Sequence, residues 1–120
     1  MSYDISLYKK SFLKKALEEN LGDWTSADPV DEKVIKSIIE KLSSLGFIEE
    51  EGVAIGREFT MDNDMILAQA ISFNNSVSFM IPYSPKAEKS IEFCSMIARE
   101  IATEYSLGFH DPQTGEDNVF

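Results

Sequence analysis

Val34, Ile35, Ile38, Ile39, Leu42 and Leu45 recur at the spacing of one helical face, and Gly46 follows as a C-terminal stop. Immediately afterwards the apolar period changes from 3.6 to 2. Phe47-Ile48, Val53 to Met61, Ile66 to Phe73 and Val77 to Tyr83 read as strands. Glu51-Gly52, Asp62-Asn63-Asp64 and Asn74-Asn75 supply the turns between them, and Gly56 is a candidate bulge. Such a switch commits the chain to helices packed on a sheet built largely from neighbouring strands.

The flanking segments extend this pattern. Tyr3, Ile5 and Leu7 would share one face of a first strand. Ser11 is a candidate N-cap for a short helix to about Asn20, with Leu13, Ala16 and Leu17 inside and Lys10, Lys14 and Lys15 outside. Asp28 is the expected cap of the next helix, with Pro29 at its first position and Asp31 and Glu32 in its first turn. Ser84-Pro85 opens a third helix to about Tyr105, with Ile91, Cys94, Ile97, Ala98 and Ile101 as its buried face. Leu107 to His110 is a last short strand, Asp111 to Gly115 a turn, and the final five residues a tail. Pro82 cannot donate to a ladder and marks an edge or a strand end. The expected fold is one α+β domain over residues 1–120. Its mixed or antiparallel sheet has about five to six strands with three helices packed on one face, in the order β-α-α-β-β-β-β-α-β.

With 120 residues, 43% apolar, the chain can bury a core without staples, and its single cysteine excludes an internal disulfide. The N-terminus lacks the pattern of a signal peptide, and no apolar run reaches membrane-helix length. The expected location is therefore cytoplasmic, without membrane association. Twenty-one acids against eleven bases give −10, which argues against nucleic acid and for a basic partner. The acids concentrate in residues 23–64, which hold eleven of them against four bases.

Sites of chemistry are sparse. His110 is the only histidine. Cys94 and His110 are the residue types of a nucleophile and base, but Cys94 lies on an apolar helical stripe, where a cysteine packs as a small hydrophobe. Asp62-Asn63-Asp64 imitates the start of a calcium loop, yet Phe73 stands where the closing glutamate belongs. Lys9, Lys10, Lys14 and Lys15 read as a solvated helix face. No phosphate loop, paired-cysteine metal pattern or nucleophile elbow is present, so no catalytic residue, cofactor or metal is expected. The candidates for contact with a partner are Asp23, Trp24, Asp28, Glu49, Glu50 and Glu51. Trp24 is the only tryptophan and sits in a loop between acids, so it reads either as an interface anchor or as a ring folded over the core.

The start Met1-Ser2-Tyr3-Asp4-Ile5 and the end Leu107-Gly108-Phe109-His110-Asp111-Pro112-Gln113-Thr114-Gly115-Glu116 resemble small bacterial proteins, some of them similar to immunity proteins of toxin systems. The resemblance covers only the two ends and carries no functional residue. It implies a cytoplasmic inhibitor that binds one cognate toxin. Two other readings stand beside it. One is a small enzyme or ligand-binding domain. The other is a self-associating protein that pairs through an exposed strand such as Val77 to Tyr83.

Overall fold

The structure, a computed structural model, describes residues 2–20, 24, 27–52 and 56–118, without the side chains of Glu116 and Asn118. The described chain runs β1 Ser2–Lys9, α1 Lys10–Glu18, α2 Glu32–Ser44, β2 Ile48–Glu49, β3 Arg57–Asp62, β4 Leu67–Ser72, β5 Ser76–Pro82, α3 Ala87–Tyr105, β6 Leu107–Asp111 and β7 Glu116–Asn118. This is the expected α+β class and order. The segment read as a tail adds the short β7, paired to β6 beyond the Asp111–Gly115 turn.

Among the described residues every strand pairing is antiparallel, and the sheet order is β2-β3-β4-β5-β1-β6-β7. The first strand of the chain therefore lies between β5 and β6. The expected exposed strand over Val77 to Tyr83 is instead β5, paired on both sides by β4 and β1. Its backbone donors and acceptors serve those two ladders, so it offers no edge for dimerisation. Pro82 is its last residue, where the missing N–H costs the ladder least.

Alternation assigns the two faces. Ile5, Leu7, Phe59, Ala68, Ala70, Val77, Phe79, Ile81 and Phe109 form the main core with Ile38 and Leu42 of α2 and Cys94, Ile97 and Ile101 of α3. The buried Ser90 hydroxyl ties α3 to β4. It donates to the Lys86 carbonyl at 2.7 Å and accepts from the Leu67 N–H at 2.9 Å. The other face carries Ser6, Ser78, Met80 and Gln69, all half-buried.

The three helices do not share one face. Gly108 alternates with the core residue Phe109, and a Cβ there would lie 2.6 Å from Leu13 Cδ2. Thus α1 packs on the side opposite α2 and α3. It buries Phe12, Leu13 and Ala16, while Leu17, expected inside, is exposed.

Two helix starts differ from expectation. Lys9, not Ser11, precedes the first turn of α1. In α2 the cap is Asp31, whose carboxylate accepts from the Lys33 N–H at 2.8 Å, and not Asp28. The reason is tertiary. The Val30 N–H donates to the Asn74 carbonyl at 2.8 Å and Val30 is buried in the main core, so residues 28–30 are held out of helical conformation.

Candidate functional site

Pro29 and Val30 lie against the β4–β5 turn, and α2 begins directly after them. Its residues Glu32, Ile35 and Ile39 fall at i, i+3 and i+7 and so line one stripe. Opposite them the chain enters β3 through Gly56 and Arg57 and leaves β4 through Ser72, Phe73 and Asn74. Between these segments runs a mostly apolar groove of about 490 Å³, open to solvent. Gly56 is required there. Its φ is +71°, and a Cβ would meet the Ser72 carbonyl oxygen at 2.8 Å and the Phe73 ring at 2.9 Å.

The groove has an acidic margin. Gly56 and Arg57 belong both to the groove and to the adjoining surface formed by Glu49, Glu50, Glu51 and Gly52. Arg57 donates to Glu49 from Nε at 2.8 Å and from Nη2 at 2.6 Å. This hydrogen-bonded pairing holds the Glu49 carboxyl below its ordinary value. The fork is exposed, so it orients two side chains more than it stabilises the fold. Among the described residues Arg57 is the only base in the groove lining, and Glu49 takes up its charge. Glu32 in the lining and Glu50 and Glu51 beyond it leave the site negative.

The expected contact residues thus divide. Glu49, Glu50 and Glu51 stand at one margin of the groove, and Asp28, exposed, precedes Pro29 at another. Asp23 lies outside the described residues. Trp24 is on the opposite side of the sheet. Its ring centroid is 5.2 Å from Tyr8, 6.0 Å from Phe12 and 4.7 Å from His110. With Ala16 and Ala27, the rings of Tyr8, Phe12 and Trp24 form a second small cluster under α1. Burial there raises the Tyr8 hydroxyl above its ordinary value. Of the two readings of Trp24, this geometry favours the folded-over ring.

Ile35, Ile39, Phe73, Glu32 and Arg57 were not among the expected site residues. One signal for the two isoleucines is in the sequence: six apolar residues between 34 and 45 make a stripe wider than the core uses. Ile38 and Leu42 are fully buried, whereas Ile35 stays partly exposed at the groove.

The chemically suggestive residues elsewhere have structural roles. Cys94 is fully buried in the main core, and His110 is on the other side of the sheet, so they form no pair. Burial pushes the Cys94 thiol up to about 12, which suppresses the thiolate at neutral pH. Cross-strand register aligns Ser78, Ser6, His110 and Asp117 in one row. The Ser6 hydroxyl bonds to Ser78 at 2.9 Å, the His110 Nδ1 bonds to Asp117, and Trp24 lies against the imidazole, so the row is a polar ladder. Asn63 closes its turn by accepting from the Met65 and Ile66 N–H groups, and Lys86 reaches Asp62 and the Asn63 carbonyl.

The Asp111–Gly115 turn is likewise built for folding. The buried Asp111 carboxylate accepts from the Tyr3 hydroxyl at 2.6 Å and from the Gln113 and Thr114 N–H groups, and the Gln113 side chain accepts from the Asp4 N–H. Among the described residues no helix is long and apolar enough to cross a membrane, and no three His, Cys, Asp or Glu side chains come together as a metal cluster. Compared with known proteins, the chain matches no family model, no curated protein and no solved structure.

Proposed function

We propose that this chain is a non-catalytic protein-binding module, an immunity-type inhibitor that covers the active site of a basic bacterial toxin. The observation that carries the reading is the junction of an open apolar groove with an acidic margin at Gly56–Arg57. Interfaces combine an apolar centre with a polar rim, and charge of one sign steers encounter with a partner of the other. A net charge of −10 adds a long-range field of the same sign. The resemblance of the two chain ends to small bacterial proteins, some of them similar to immunity proteins, is in keeping with this reading. A cytoplasmic location fits this role.

The test is co-expression of the chain with the products of its neighbouring genes. A basic protein should co-purify, cells producing that protein alone should stop growing, and the chain should restore growth. Its association rate should fall as salt rises, because exposed charges are screened over about 8 Å at physiological ionic strength. Replacing Glu49, Glu50 and Glu51 together by glutamine should slow association more than it speeds dissociation. An acidic partner, or a rate unmoved by the triple substitution, would refute the proposal.

A further inference from the structure

We infer that the groove receives a short cationic segment of the partner, with one apolar side chain seated among Val30, Ile35, Ile39 and Phe73. Lysine or arginine residues flank that side chain and meet Glu32 and Glu50. This rests on the protein-binding reading above and names the chemistry of what is bound.

Three observations on the groove select this occupant. Its walls are mostly apolar, and its volume of about 490 Å³ has room for a short piece of chain and not for a whole domain face. Its charge is one-sided, since Arg57 is engaged by Glu49 while Glu32, Glu50 and Glu51 form no ion pair among the described residues. Its floor is closely packed, because Gly56 leaves no room for a Cβ beside the Ser72 carbonyl and the Phe73 ring, and Val30 is bonded to Asn74. A preformed floor lowers the ordering cost of binding. An acidic or purely apolar segment would leave the carboxylates facing like charge or no charge. A segment of lysines alone would leave the apolar walls in water.

The experiment uses the whole chain and three blocked pentapeptides. The first has leucine between two pairs of lysines, the second has serine in place of leucine, and the third has leucine between two pairs of glutamates. Binding is read from backbone and methyl NMR shifts. The lysine–leucine peptide should move Val30, Ile35, Ile39 and Phe73. Loss of the leucine should weaken binding about tenfold, the scale for burying such a side chain. The glutamate peptide should move none of the four. Glu32→Gln with Glu50→Gln, both exposed and outside the core, should weaken the lysine–leucine peptide while lowering the melting temperature only slightly, through the lost charge in the first turn of α2.

Shifts that map elsewhere, a serine peptide that binds equally well, or a glutamate peptide that binds at all would overturn the inference. Concentration-dependent shifts of the same four residues without peptide would assign the groove to a second copy of the chain and overturn it as well. Salt-dependent binding of the co-purified protein in any of those cases would leave the inhibitor reading intact, so the two fail separately.

Discussion

Phe79 and its neighbours Ser78 and Met80 occupy adjacent positions of β5 but live in different surroundings. Phe79 is fully buried at the centre of the sheet, 6.3 Å from the Phe47 ring, under α2 and α3. Ser78 and Met80 face the other way and stay half-buried. The first face is held by continuous packing, whose strength follows apolar area. The second is held by a few particular contacts: Leu13 over Gly108, Trp24 over His110, and the Ser6–Ser78 bond. Stability therefore concentrates on one side of the sheet and tethering on the other, and substitutions can measure the inequality.

The largest effect is expected from Phe79→Ala, which should cost roughly 3–5 kcal/mol in denaturant unfolding, the range for buried aromatic truncations. Met80→Ala one residue away should cost much less. Equal losses would abolish the distinction between the faces. Gly108→Ala comes next, at roughly 1–3 kcal/mol, because the added methyl must displace the fully buried Leu13. A neutral result would mean that α1 does not rest on the sheet there. Trp24→Ala should lower stability by about 1–2 kcal/mol, less than a buried ring because Trp24 is only half-buried. Partner affinity should be unchanged. A loss of affinity without a loss of melting temperature would make Trp24 an anchor and extend the interface to the second face.

The effect that is smallest near neutral pH, and grows only in alkali, belongs to Cys94. The Cys94 thiol is raised by burial from an ordinary 9.0 to about 12. Between those values the unfolded chain sheds a proton that the folded chain keeps. The contribution is fully present below pH 9 and is lost as pH rises toward 12, at up to about 1.4 kcal/mol per pH unit. Cys94→Ala should flatten the alkaline fall in stability by that slope. An unchanged slope would mean that the last helix does not shield its thiol.

Much of the architecture was legible because apolar period changes are local. The stripe at residues 34–45 and the alternation in Val77, Phe79 and Ile81 each announce their element without help from distant residues. β7 was not legible, since Glu116–Asn118 is short, polar and without alternation. Its pairing follows from the turn that Asp111 organises. The start of α2 is ambiguous in the sequence, because Asp28 and Asp31 both suit a cap. The deciding contact is made with Asn74, more than forty positions away. Of the site, the acidic triplet could be named from sequence. The groove could not, because it joins Pro29–Val30, one side of α2 and the ends of β3 and β4, and no local pattern encodes that meeting. Ile35 belongs to the apolar stripe, yet only the packing separates a core side chain from one left at a surface.

β1 lies between β5 and β6, and Tyr3 is bonded to Asp111 across nearly the whole described chain. During synthesis the first strand emerges long before either of its neighbours exists. Until Ser76 to Pro82 has been made, Ile5 and Leu7 have no ladder to join, and until Leu107 to Asp111 follows, that ladder has one open side. Contacts of such long separation slow folding and favour assembly in a single late step. The nascent chain must therefore carry an apolar strand unpaired through most of its elongation, and the four lysines at residues 9–15 stand next to it as charges that oppose premature association.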